Sequence, residues 1–514
     1  MKKIKIGMLL VALSLFSCSD YLDVNNTPNS PYEKDIPPHL LLPGAQSSIF
    51  RTQTLTMNAL GNVWMNNWAS NTNQVTGAFS REFSLQISST FYSGIWDGLF
   101  RNLGNFQAII DFPLENQENY VAIAKIMKAH YYQYIVDMYG DAPYSEAFKK
   151  QGNLTPKYDD DQAIYRALVV ELDQAVAAID AAAPNADAVG AQDIMFGGDM
   201  SKWKKFANTI KLRYLLRQAK KASVDGATMT YITQQLNTLA TANFVDTDVT
   251  INPGYNATND SRQNPFFNAY GSTSAGTVQT NRAAVIPTKY VADFLNGDPA
   301  VAKASGLVDP RRGRIFTLVG GKVVGSIQGA TLTPASTSRF GVVLIPGTAG
   351  TPNVATGSVL DGYVMTLAES KFLQAEAAAR FPGVFTGNAK TLFEDGVRAS
   401  CTFNGVSAAA ANTYITGANT RSGLGWDASA SLDAKIDAIM TQKWIALINI
   451  HALESFITYT ATGYPNTPLA STAGYPTKPK RLIYPQSEYV SNSANVPDVQ
   501  LDQVFVQGPF WYVP

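Results

Sequence analysis

The sequence predicts a mainly α-helical protein interrupted by irregular loop and hairpin insertions. Apolar residues recur at helical spacing in long segments, and these segments have the length that helix pairs need. Residues 244–287 and 315–359 lose that periodicity and are rich in Gly, Thr, Asn, Ser and Val. The tetratricopeptide consensus is not evident, so the pattern itself predicts only helix pairs. Insertions on one side of such a scaffold would form a binding face.

The N-terminus predicts export and a lipid anchor. Three lysines precede an apolar run, residues 6–16, that is too short to cross a bilayer and is typical of a signal peptide over residues 1–17. Ser followed by Cys18 resembles a bacterial lipobox, in which the thiol is acylated and begins the mature chain. Cys401 is the only other cysteine, so an internal disulfide framework is excluded. A plain signal peptide with an incidental cysteine is the alternative.

A polar, Pro-rich segment then leads from the anchor to one domain. Residues 18–38 contain repeated prolines and are predicted to form a flexible tether. Residues 39–514 are predicted to form a single domain. Its predicted helices are 40–68 (interrupted near Pro43 and Gly61), 89–110, 119–139, one beginning at Asp159, 201–222, 289–295, 362–381, 388–400, 407–415, and 432–458 as one helix or a broken pair.

The helix over residues 119–139 is the most strongly patterned element. Its aromatic and aliphatic residues form one wide apolar stripe. Gly140 supplies a helix stop, and Pro143 cannot continue the helix. We expect a buried packing helix with no catalytic residue.

Asp159 with Gln162 has the form of an acidic capping box. A metal site at the adjacent carboxylates, residues 159–161, is the alternative, but a helix N-terminus favours carboxylates without a metal. We expect no metal and no cofactor.

Composition and motifs argue against several functional classes. Lys plus Arg and Asp plus Glu number 40 each, so the balance disfavours nucleic-acid binding. The three histidines, His39, His130 and His451, lie in no metal or catalytic motif, and neither a nucleophile elbow nor a phosphate loop is present. A glycosidase needs only two carboxylates, so a secreted glycan-degrading enzyme stays as an alternative.

Aromatic residues beside amides are the better candidates for ligand binding. Sugar rings stack their C–H faces on Trp and Tyr, while amide groups satisfy the hydroxyls. The candidate ligand-binding residues are Trp64, Asn67, Trp68, Asn71, Tyr92, Trp96, Tyr255, Phe266, Phe267 and Tyr270. Trp64 and Trp68 are four residues apart, so core packing is the competing interpretation for them.

Collinear segments resemble the SusD/RagB family of nutrient-binding outer-membrane lipoproteins, and its second SusD-like subgroup in particular. The segments that carry the resemblance are 138–148 (MYGDAPYSEAF), 157–175, 205–217, 307–316, 367–380, 439–456 and 481–489. The resemblance implies a SusD-like α-helical fold with four tetratricopeptide-like helix pairs.

The same resemblance implies a lipid-anchored protein at the cell surface that is not an enzyme. Such a protein captures oligosaccharides or oligopeptides and acts as the lid of a SusC-like TonB-dependent transporter in the outer membrane. Family ligand residues vary with substrate, so the resemblance assigns no binding residue. A purely structural helical adaptor is a further alternative.

Overall fold

A computed structural model describes residues 36–113, 115–149, 152–183 and 185–514. The predicted signal peptide, Cys18 and nearly all of the tether lie outside the described residues. Helices dominate the remainder, which confirms the mainly α-helical prediction. None of the described helices combines the length and apolar character that crossing a bilayer requires.

The first half of the chain supplies a series of long helices. They are α1 (Pro38–Thr52), continued by a π-helical turn (Gln53–Met57) into α2 (Asn58–Trp64), α3 (Ser80–Ser84), α4 (Gly94–Ile110), α5 (Glu118–Tyr139), α6 (Asp161–Ala181), α7 (Met200–Arg217), α8 (Ala219–Ala222) and α9 (Gly226–Thr238).

The second half contains shorter helices in the insertions and then a second long series. They are α10 (Pro265–Tyr270), α11 (Thr280–Ala284), α12 (Lys289–Asn296), α13 (Arg312–Ile315), α14 (Val354–Gly357), α15 (Leu367–Arg380), α16 (Ala389–Phe403), α17 (Ala408–Ala418), α18 (Leu432–Leu447), α19 (Ala452–Thr462) and α20 (Gln486–Ser491).

Neighbouring helices pack as pairs around one large core. Helix α4 packs on α1 and α5, α5 on α6, and α15 on both α16 and α18. Helix α5 lies at the centre, because every residue from Ile126 to Tyr139 is buried. The apolar stripe of this helix is therefore only part of its contact surface. Its polar residues are buried as well, and most of them find hydrogen-bond partners in other helices.

Two small antiparallel sheets join the insertions to the helical body. Strand β1 (Trp68–Ser70) pairs with β3 (Val285–Pro287), with Ala69 opposite Ile286. Strand β2 (Val249–Ile251) pairs with β4 (Gly362–Met365). The first insertion is thus fixed at both of its ends, and the second is fixed just after its C-terminal end.

Several predicted element boundaries are wrong. Helix α1 runs through Pro43, and the helical backbone continues past Gly61 to Trp64, since Gly61 is required by close packing and not by a turn. The helix predicted from residue 362 begins at Leu367, because residues 362–365 form β4.

Asp159 is not a helix cap. Asp160 is the N-cap of α6, and its side chain accepts from the N–H of Ala163. The Asp159 carboxylate instead accepts from the backbone N–H groups of Tyr144 and Ser145, at 3.0 and 2.7 Å. It therefore fixes the turn after α5.

The segment 432–458 is a broken pair, with α18 ending at Leu447 and α19 beginning at Ala452. Helix α9 was not predicted, because its sequence is mostly polar; Asp225 caps it through the N–H groups of Ala227 and Thr228.

Candidate functional site

The two insertions meet in a cluster of aromatic rings. The ring centroids of Trp68 and Tyr270 lie 5.1 Å apart, and Phe340 lies 5.3 Å from each of them. Phe266 lies 4.8 Å from Tyr270 and 5.6 Å from Phe340. Four of the ten predicted residues, Trp68, Phe266, Phe267 and Tyr270, therefore belong to one apolar cluster. Phe340 joins them from an insertion in which no residue was singled out.

Strand pairing and capping hold these rings in place. Trp68 lies on β1 opposite Pro287, and its indole Nε1 donates to Oδ1 of Asn449 at 2.6 Å. The side chain of Asn264 caps α10 by accepting from the N–H groups of Phe266 and Phe267. The cluster therefore connects the insertions to the helical body.

Eight of the ten predicted ligand-binding side chains are buried. They are Trp64, Asn67, Trp68, Asn71, Trp96, Phe266, Phe267 and Tyr270. A sugar ring can stack only on an aromatic face that solvent reaches. In this conformation these eight side chains pack the core or satisfy backbone groups. Trp64 and Trp96 belong to the core of the helical body, and Trp68, Phe266, Phe267 and Tyr270 pack where the insertions meet that body.

Tyr92 and Tyr255 remain half-buried and keep part of their surface available. Tyr92 precedes α4 with a φ of 49° and packs on Phe91 with ring centroids 4.9 Å apart. Tyr255 sits in an Asx turn, in which its backbone N–H donates to Oδ1 of Asn252 at 2.8 Å. Burial raises the pKa of both phenols, so both are neutral hydroxyls at physiological pH.

A sizeable cavity lies elsewhere, beside α4. It has a volume of about 560 Å³, which is ample for several sugar rings or a short peptide. Its wall combines rings with polar side chains: Arg101, Asn105, Gln107, Asp111, Phe112, Phe148 and Lys149. One sequence signal pointed to this place, because Phe148 ends the segment 138–148. That segment was interpreted as a turn and as part of the family resemblance, but not as a binding surface.

Acidic oxygen atoms also converge beside the first turn of α6. Oxygens of Asp141, Asp160 and Asp161 all lie within 4.8 Å of one another. Each carboxylate already has a backbone partner: the N–H of Asp161, the N–H of Ala163 and the N–H of Phe510, respectively. Burial is the main cause of the raised pKa values of Asp141 and Asp161, and the latter reaches about 6. These groups stabilise the helix start and the C-terminal segment.

Two of the three histidines lie in the core and are not suited to acid–base catalysis on a ligand. Nδ1 of His130 lies 2.9 Å from Nη2 of Arg213, so that nitrogen accepts and the ring is neutral. Burial lowers the pKa of His451 to about 3, and this residue is only 1% exposed. Cys401 is buried and unpaired.

One family model matches nearly the whole chain. The model is SusD-like_2, described as "Starch-binding associating with outer membrane", and it matches residues 28–485. No curated protein sequence matches the chain.

Many solved structures share the fold. A chitin-binding SusD homologue from Flavobacterium johnsoniae is 22% identical, with 88% of this chain and 94% of that chain covered and a TM-score of 0.67. A SusD-like protein from Bacteroides thetaiotaomicron is 21% identical, with 90% and 94% covered and a TM-score of 0.67. A SusD homologue from Bacteroides fragilis is 20% identical, with 93% and 99% covered and a TM-score of 0.68. At sequence identities this low, the structural similarity shows a shared fold.

Proposed function

The chain belongs to the SusD/RagB family, and on that premise we propose that it is a carbohydrate-binding protein of the outer membrane that captures its ligand without breaking a bond. The observation that carries the proposal is the family match over residues 28–485, together with a shared fold along most of the chain. Members of this family are substrate-binding proteins, not enzymes.

The nature of the ligand is supported by two kinds of observation. One structural relative is described as a chitin-binding protein. In this chain, the cavity beside α4 combines the rings of Phe112 and Phe148 with amide and charged side chains. Such a mixture suits a sugar, because rings take up the C–H faces and polar groups take up the hydroxyls. An oligopeptide is the other ligand class that a wall of this kind accommodates.

Two surfaces are candidates for the ligand-binding site, and single substitutions distinguish between them. The first surface is the cavity beside α4, represented by Phe148. The second is the face of the insertion that carries Tyr255. The wild-type protein would first be screened against immobilised glycans and peptide pools to find a ligand that it binds. That ligand would then be titrated into Phe148→Ala and Tyr255→Ala, and the variant that loses affinity identifies the binding surface. Tyr489→Ala, on α20 and outside both surfaces, is the control and should bind as the wild type does.

We further propose that the protein is tethered at the cell surface through Cys18 and acts as the lid of a SusC-like TonB-dependent transporter. The family description places members at the outer membrane, which supports the location. Affinity purification of the full chain from its own membranes should recover a large outer-membrane transporter. Recovery of that transporter with no binding on either panel would favour a structural adaptor instead.

A further inference from the structure

Arg282 is a deeply buried cation that forms no ion pair with any carboxylate among the described residues. It lies in α11 and is only 2% exposed. Its sole side-chain hydrogen bond in the described structure runs from Nη2 to the backbone oxygen of Thr348, at 3.0 Å. Nε and Nη1 are buried and have no partner, so three N–H donors are unused.

Other arginines buried as deeply are paired. Arg213 lies 3.1 Å from an oxygen of Glu369. Arg311 contacts Asp309 at 2.6 Å and also donates to a glutamine and a serine. A buried guanidinium is costly unless an anion and hydrogen bonds compensate it, and these two sites follow that rule. Arg282 departs from it.

A second arginine, Arg339, makes the charge of Arg282 still less favourable. Burial and the positive charge of Arg339 lower the pKa of Arg282 to about 10. Arg339 is half-buried and donates to Oγ1 of Thr337, and within the described part of the chain it forms no ion pair either. The positive charge of Arg339 opposes that of Arg282, and an anion bound beside both would relieve this repulsion.

The arginines border the aromatic cluster of the insertions. Arg339 directly precedes Phe340 in the chain, and Arg282 precedes Val285, which belongs to the same apolar cluster. The turn that accepts the hydrogen bond of Arg282 is exposed. It comprises residues 347–351 and is closed by the N–H of Thr348, which donates to the oxygen of Thr351 at 3.0 Å.

We propose that Arg282 and Arg339 receive a carboxylate group of the captured ligand, and that the 347–351 turn moves aside to admit it. A planar guanidinium matches a carboxylate through parallel hydrogen bonds, and the second arginine supplies the remaining charge. The inference rests on the proposed function, since it specifies which ligands the insertions select. Carboxylates of this kind occur on uronic acid sugars and at the C-terminus of a peptide.

Matched probes test the carboxylate directly. Calorimetric titration of the full chain would compare trigalacturonate with its methyl ester, and tetra-alanine with its C-terminal amide. We expect at least one acid to bind about tenfold or more tightly than its neutral partner, because a charge-assisted hydrogen bond is lost in the ester or amide. The pair that shows the preference identifies the source of the carboxylate.

Substitutions of the arginines test whether they cause the preference for the acid over its neutral partner. Arg282→Gln should abolish the preference for the acid, and Arg282→Lys should restore part of it. Arg262→Gln removes the charge of an exposed arginine in the same insertion and should leave the preference unchanged. If Arg282→Gln fails to fold, Arg339→Gln carries the test, because its half-exposed side chain tolerates replacement.

The outcomes separate this inference from the proposed function. Equal binding of acid and neutral probes, or a preference that survives in Arg282→Gln and Arg339→Gln, overturns the carboxylate site. Binding of neutral glycans alone also overturns it and leaves the proposed function standing. A protein that binds none of the probes, glycans or peptides would overturn both the carboxylate site and the proposed function.

Discussion

Nη2 of Arg217 lies 2.8 Å from both carboxylate oxygens of Glu454, at a place where both side chains are buried. Arg217 ends α7 and Glu454 lies in the first turn of α19, so this ion pair joins the two halves of the chain. Nζ of Lys443, on α18, also donates to Glu454 at 2.8 Å. One carboxylate therefore ties three helices together.

Removing that carboxylate should strongly destabilise the protein. Glu454→Gln keeps the shape but leaves Arg217 and Lys443 without their main counter-charge. We expect the free energy of unfolding to fall by about 3–5 kcal/mol, measured by urea denaturation. Asp395→Asn is the control, because Asp395 and Arg398 form an ion pair 3.0 Å apart whose side chains are each 41% exposed to solvent. That change should cost less than about 1 kcal/mol. Similar losses in the two variants would contradict the role given to Glu454.

Gly61 should tolerate no side chain. A Cβ there would lie 2.0 Å from the backbone nitrogen of Leu453, where α2 crosses α19. Backbone cannot move away as a flexible side chain can, so Gly61→Ala should destabilise the protein by about 3 kcal/mol. Gly44→Ala is the matched control, because Gly44 is exposed on α1 with nothing within 4 Å. It should stabilise by about 0.5–1 kcal/mol, through loss of backbone freedom in the unfolded chain. Thermal melting of both variants checks the pair.

Burial of His451 should make stability depend on pH. Its folded pKa is about 3, below the usual value near 6.5, because burial disfavours the charged ring and Arg213 adds to this. A basic group with a lowered folded pKa contributes stability that is fully present above pH 6.5. That contribution is lost as pH falls toward 3, since only the unfolded chain then takes up the proton.

The test compares the wild type with His451→Leu. Between pH 6 and pH 4, the free energy of unfolding of the wild type should fall more steeply than that of the variant, by about 1.4 kcal/mol per pH unit. Buried Asp137, with its folded pKa raised to about 6, acts in the opposite direction in both proteins and cancels in the difference. If the plots of unfolding free energy against pH are parallel for the two proteins below pH 6, His451 takes up its proton in the folded state as readily as in the unfolded chain.

Acylation of Cys18 should decide whether the protein stays with the membrane. Cys18→Ala should move the mature protein from the membrane fraction to the soluble fraction, because no acyl chain remains to bury its methylenes. Cys401→Ala changes a buried cysteine of α16 and should leave the protein membrane-bound. Retention of Cys18→Ala through alkaline washes would refute the lipid anchor.

Periodicity predicted the long helices because it reports which residues face the core. Helix α5 was placed within one residue at its start, Asn119 against Glu118, and its end at Tyr139 was confirmed. Gly61 was misinterpreted, because a glycine that admits another helix has the same local pattern as one that ends a helix. That distinction depends on Leu453, almost four hundred residues away.

The binding site was harder to predict for a related reason. An aromatic residue at helical spacing suits the core and a sugar site equally, and Trp68 proved to be buried. Loop composition pointed to the insertions, but it does not reveal which rings their own strands will cover. Arg282 offered no sequence signal at all, because an arginine without a partner is visible only when its surroundings are known.

The most direct test of ligand capture without chemistry is a binding measurement that also examines the ligand afterwards. The purified full chain would be incubated with the glycan that binds best on the panel, its affinity determined, and the recovered glycan analysed by mass spectrometry. We predict micromolar affinity, with the glycan recovered at its original length after prolonged incubation. Shortened products that disappear in a carboxylate variant of the protein would contradict the account and identify an enzyme.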